Sequence, residues 1–203
     1  MSESGPGFDF SHAMSRLCGD IAGRMMEFSH IRMDEVAVSF AQARSRAPHG
    51  LQAKLIPMRF DEGSLVTRRR GRAWTVQRLF LDEREMLYIL TFYLPRFLNH
   101  DLREKLITVF HELYHISPEF DGDIRRFDGH CHVHTSSQKE YDRQMEAFVD
   151  RYLAKSPPSS IYDFLGLKFA DLQRRFGRVI GLQVRIPKLI PLDEKRRFPQ
   201  GGN

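Results

Sequence analysis

Between Asp101 and Pro118 the chain reads DLREKLITVFHELYHISP, and this stretch restricts the fold more tightly than any other. Leu106, Ile107, Phe110, Leu113, Tyr114 and Ile116 recur at helical spacing, so one stripe of the segment belongs in a core. Asn99 or Asp101 can cap its start. Glu104 stands three positions after Asp101, as a capping box requires, and Pro118 closes the run. The predicted helix carries His111, Glu112 and His115. Positions i and i+4 share one helix face about one turn apart, so the two imidazoles can reach a single ion, and neutral imidazole suits Zn2+. Glu112 follows the first of them and can take a proton from water activated by that ion.

Catalytic zinc sites usually take three protein ligands and keep one position open, so a third ligand has to come from elsewhere. Downstream, GHCHVH offers His130, His132 and His134 beside Cys131, while Asp121 and Glu146 are carboxylate alternatives. His134 ranks first because it lies nearest the next predicted helix, where a rigid element can fix its direction. His130, Glu146 and Asp121 follow in that order. Cys131 reads as a small loop residue, since three histidines compete with it.

The rest of the chain supplies a scaffold of mixed elements. Residues 1–10, with two Gly and one Pro, read as a tail. From Ser11 to Ala47, the spacing of Met14, Leu17, Ile21, Met25 and Phe28 predicts one or two helices before the break at Pro48, His49 and Gly50. Leu51–Phe60, Leu65–Thr67, Ala73–Leu81 and Leu87–Leu94 read as strands of a short, mostly antiparallel sheet. Arg68, Arg69, Arg70 and Arg72 form a basic turn between two of them. After an irregular stretch from Glu119 to Thr135, a helix opening at Ser136 or Ser137 turns Tyr141, Met145, Phe148, Val149 and Tyr152 inward. A short helix near Ile161–Phe176, a strand over Val179–Ile186 and a basic, Pro-bearing tail from 187 to 203 complete the reading. The expected class is therefore α+β: an N-terminal helix, the sheet, the helix bearing the histidines and further C-terminal helices, in one domain over 11–186.

Composition excludes several classes. At 203 residues with 41% hydrophobic and 28% charged side chains, the chain resembles ordinary globular proteins rather than disordered ones. No apolar run approaches the roughly 20 residues that span a bilayer, because Pro95 and Arg96 interrupt Met86–Leu98. MSESGPGFDF lacks a basic leader and an apolar segment, so a cytoplasmic location is expected, and the two cysteines, Cys18 and Cys131, are expected as free thiols. The net charge of +5 and pI near 9.4 suit nucleic acid, but modest basicity is more often a solubility property. Nucleic acid is therefore a minority reading of the partner, and no membrane is expected.

HELYH followed by SPEFDGDIRRFDGHCHVH resembles the minimal zincins grouped as phage metallopeptidases and, more distantly, SprT-like metalloproteases, over Leu51 to Leu153. The resemblance implies a small zincin-like domain in which a helix and a small sheet precede the metal helix. It also implies that His111 and His115 bind zinc, that Glu112 is the general base and that the reaction is hydrolysis of a peptide or protein substrate. Two other zincin patterns fit less well. In HExxHxxGxxH, Pro118 stands at the Gly position and Asp121 at the third His; an ExxxD match at Glu146 and Asp150 also reads as a solvated helix face. Two alternatives stand beside the peptidase: a structural-zinc module that associates with nucleic acid, and a zinc hydrolase acting on a non-peptide amide.

Overall fold

A computed structural model of the chain describes residues 7–43, 49–126 and 138–192. In chain order the elements are β1 (Phe8–Asp9), α1 (Phe10–Arg24), β2 (Val36–Gln42), β3 (Ala53–Pro57), β4 (Val66–Arg69), β5 (Arg72–Val76), β6 (Phe80–Leu81), β7 (Arg84–Glu85) and β8 (Tyr88–Leu94). They continue with α2 (Leu102–Tyr114), α3 (Gln138–Ala154), α4 (Phe169–Phe176), β9 (Val179–Ile180) and β10 (Leu189–Leu192). The class is α+β, and no helix among the described residues is long and apolar enough to cross a membrane.

A three-stranded sheet ordered β2-β8-β3 is the centre of the fold. Its middle strand, YILTFYL, is apolar almost throughout because both of its faces are covered. Strand alternation divides the core in two. Val36, Val38, Leu55, Tyr88, Leu90 and Phe92 face the helices, where Phe10, Leu17 and Ile21 of α1 meet Leu106, Phe110 and Leu113 of α2 and Phe148 and Tyr152 of α3. Ala37 and Ile89 face the other way, with Met58, Met86, Leu79, Leu81 and Leu182. There the hydroxyls of Ser39 and Thr91 bond to each other at 2.8 Å, which satisfies two buried polar groups mutually.

Several expectations are corrected. Val36–Gln42 is a strand rather than part of a second helix: Val36, Val38 and Phe40 recur every second residue, and β2 pairs in parallel with β8 over its full length. The strands do not form one sheet, since β4 and β5 join β10 in a separate antiparallel sheet. The tail expected over residues 1–10 is shorter at its inner end: Phe10 is fully buried, and Phe8–Asp9 pairs with β9. Leu189–Leu192, expected within the C-terminal tail, pairs with β5. Of the strand predicted over Val179–Ile186, only Val179–Ile180 forms one.

Candidate metal centre

Asp101 caps α2 as the sequence reading anticipates, its carboxylate accepting the Glu104 N–H at 2.8 Å. The other half of the expected capping box is redirected, because Glu104 Oε2 meets His100 Nδ1 at 2.7 Å. At the far end the helix stops at Tyr114, before the Pro118 limit expected from the apolar spacing. His115 and Ile116 donate to Glu112 and Leu113, closing the last turn with tighter i to i−3 bonds. His111 therefore lies in the last turn of α2, and His115 is its C-cap, still in the right-handed helical region.

The chain leaving this end is fixed to the central sheet. Ile116 and Ile124 form an isolated bridge, Arg125 N–H donates to the His115 carbonyl at 2.7 Å, and Tyr88 Oη donates to the Asp123 carbonyl at 2.8 Å. Gly122, at φ +89°, passes Arg59 so closely that a Cβ would come within 2.5 Å of Arg59 Cγ. Only glycine suits both the left-handed backbone and the close approach.

Within this frame the Nε2 atoms of His111 and His115 lie 3.0 Å apart. Two imidazoles sharing one tetrahedral zinc at about 2.05 Å would hold their nitrogens about 3.3 Å apart, so the pair fits a common ion with a shift of a few tenths of an ångström. Tyr141 of α3 supports both rings. It meets His111 edge-on with centroids 5.1 Å apart and lies nearly parallel to His115 at 6.3 Å.

Glu112 is buried, at 8% exposure, and its Oε2 accepts the backbone N–H of Leu55 at 2.7 Å. Burial raises its carboxyl to about 7, opposed by the Leu55 bond and the Lys54 charge. A desolvated carboxylate next in sequence to a convergent histidine pair is a stronger base than one in water. The Tyr141 phenol is pushed well above its usual range, chiefly by burial and then by Glu112.

The sequence-derived third ligands fall into two groups. His134, His130, His132 and Cys131 lie outside the described residues. Asp121 accepts the Asp123 N–H at 3.0 Å, and Glu146 is exposed on α3 and acts on Arg103. No three His, Cys, Asp or Glu side chains gather into a potential metal site among the described residues, so neither carboxylate joins His111 and His115. No family model, curated protein or solved structure matches the chain.

Two neighbours of the site went unassigned from sequence. The helical spacing of Tyr141 reads as core, and it is a core residue whose ring also lies against both imidazoles. Leu55 had no signal, because its role belongs to a backbone N–H some 57 positions away from Glu112.

Proposed function

We propose that this chain is a zinc-dependent metallopeptidase of the zincin type, with Glu112 as general base. The observation that carries the reading is the approach of His111 Nε2 and His115 Nε2 to 3.0 Å beside the buried carboxylate of Glu112. His111 and His115 would hold the zinc. His134 is the proposed third ligand and His130 the next candidate, with Glu146 and Asp121 as the carboxylate alternatives. A zinc ion held there supplies Lewis acidity, activating water and polarising a carbonyl at neutral pH.

The chain's own residues then divide the remaining work. Glu112 takes a proton from the attacking water onto its carboxylate and returns it to the amine that leaves as the peptide bond breaks. Tyr141 packs against both imidazoles and limits their rotation. Strand β3, at the edge of the central sheet, lies beside Glu112, and an extended peptide can pair with such an edge through its main chain.

The test combines metal content with turnover. Purified protein should bind one zinc and cleave an unfolded protein substrate, and Glu112→Gln should keep the metal while losing cleavage. His134→Ala should lose zinc, whereas Glu146→Ala and Asp121→Ala should retain it. Undiminished cleavage by Glu112→Gln would overturn the enzymatic reading; loss of zinc in His130→Ala but not His134→Ala would move the third ligand to His130.

A further inference from the structure

The sheet formed by β4, β5 and β10 has no part in the proposed chemistry, and its charge is one-sided. Residues 66–76 and 188–192 contain five basic side chains (Arg68, Arg69, Arg70, Arg72 and Lys188) and no acidic one. The whole chain has a net charge of +5, so all the other residues sum to zero. Among the described residues, Arg68, Arg69 and Arg70 form no ion pair with a carboxylate.

The hairpin geometry gathers these charges. Arg70 and Gly71 turn the chain with φ of 51° and 76°, the doubly positive pattern of a type I′ turn. Arg69 and Arg72 are consequently opposed in register on one face of the hairpin. Alternation puts Trp74 on that same face, next to Arg72 and opposite Thr67. The Arg72 guanidinium sits over the indole at 5.5 Å. Arg69, Arg70, Arg72, Trp74 and Leu189 line a depression of about 450 Å³. The indole Nε1–H is buried and meets no acceptor among the described residues, and the Arg72 guanidinium packs over the ring.

We infer that this face binds single-stranded nucleic acid, with Arg69, Arg70 and Arg72 on phosphates and Trp74 stacked on a base. Clustered guanidinium groups suit a polyanion with a regular phosphate spacing. A flat aromatic ring among them suits an unpaired base, since a base inside a duplex keeps its faces occupied by its neighbours. An acidic protein would satisfy the charge but would leave the indole without a stacking partner.

Trp74 is the only tryptophan, so its fluorescence reports on this face alone. The full chain is titrated with oligo(dT), with a duplex of equal phosphate count and with heparin, at several salt concentrations. Oligo(dT) should quench Trp74, and its affinity should fall with salt at a log–log slope of about −2, from about −0.7 per phosphate contact over three contacts. The combined Arg69→Ala, Arg70→Ala and Arg72→Ala variant should lose nearly all of this salt-dependent binding. With a labelled oligonucleotide, Trp74→Ala should bind about tenfold more weakly and Trp74→Phe, which keeps a stacking ring, within about threefold of the parent. Equal binding of duplex or heparin without quenching would reassign the face to general anion attraction and overturn the proposal. So would unchanged affinity of the triple arginine variant.

Discussion

Glu112 Oε2 accepts the backbone N–H of Leu55 at 2.7 Å, joining the end of α2 to the edge strand β3 of the central sheet. One carboxylate thus serves as a structural acceptor and as the proposed base, and two substitutions separate these roles. Glu112→Gln keeps an amide oxygen for Leu55 and should change stability little, while losing about 10²- to 10⁴-fold in peptide turnover. Glu112→Leu leaves the Leu55 N–H buried without an acceptor and should also cost about 1–3 kcal/mol of stability. Chemical denaturation alongside a cleavage assay measures both effects. Equal destabilisation by Gln and Leu would show that the Leu55 bond contributes nothing.

Tyr141 touches both imidazoles, so its ring and its hydroxyl make separate predictions. Tyr141→Phe retains the ring contacts and should leave zinc affinity within about threefold, whereas Tyr141→Ala removes them and should weaken it about 10- to 100-fold, the usual effect of losing a group that orients a ligand. Competition against a chelator of known affinity gives the numbers. Identical affinities for the Phe and Ala variants would remove Tyr141 from the proposed metal centre.

The parts of the fold that were legible in sequence are those specified by local chemistry. Asp101 caps α2 through its own side chain, and the apolar stripe of Leu106, Phe110 and Leu113 marks the buried face of that helix. The spacing of His111 and His115 places them together for the same local reason. Pairing across the chain was not legible. The alternation of Val36, Val38 and Phe40 marks a strand but does not name its parallel partner β8, and Leu189–Leu192 forms a strand because β5 lies beside it. The helix end at Tyr114 depends on the return of the chain to bridge Ile116 with Ile124. Glu112 meets Leu55 only once α2 has packed against β3.

Glu85 links the loop after β3 to the arginine-rich sheet. Its carboxylate takes an ion pair from Arg59 at 2.5 Å and another from Arg78, just beyond β5. The hydrogen bond from Arg78, followed by Arg59, lowers its pKa to about 2 against burial. A depressed carboxyl contributes stability above its unfolded value of 4.5, and this is lost as pH falls towards 2. With Arg78 half exposed, solvent screening limits the contribution to about 1 kcal/mol. Glu85→Gln should therefore be less stable than the parent by about that amount at pH 7, with the gap closing between pH 4.5 and 2. Urea unfolding across that range tests it, and a gap constant down to pH 2.5 would count against the ion pairs.

Lys105 gives the opposite pH signature from the same helix that carries the histidines. Its side chain is 1% exposed, and its Nζ donates to the carbonyls of Leu165 at 2.7 Å and Leu167 at 3.0 Å, tying α2 to the segment before α4. No carboxylate bonds to it among the described residues, and burial lowers its pKa from 10.5 to about 8. Between these values the unfolded chain binds the proton that the folded chain has released, so the folded state gains stability as pH rises from 8 to 10.5. The gain is at most about 3 kcal/mol, at 1.36 kcal/mol per pKa unit. A neutral amine still donates to both carbonyls, so deprotonation relieves the buried charge without breaking the link. Lys105→Met leaves Leu165 and Leu167 without their donor and should cost about 1–3 kcal/mol at pH 7. The informative quantity is the difference between parent and variant, in which the contributions of groups common to both cancel. That difference should widen from pH 8 to pH 10; a difference that narrows would mean that Lys105 is stabilised by its charge rather than held in spite of it.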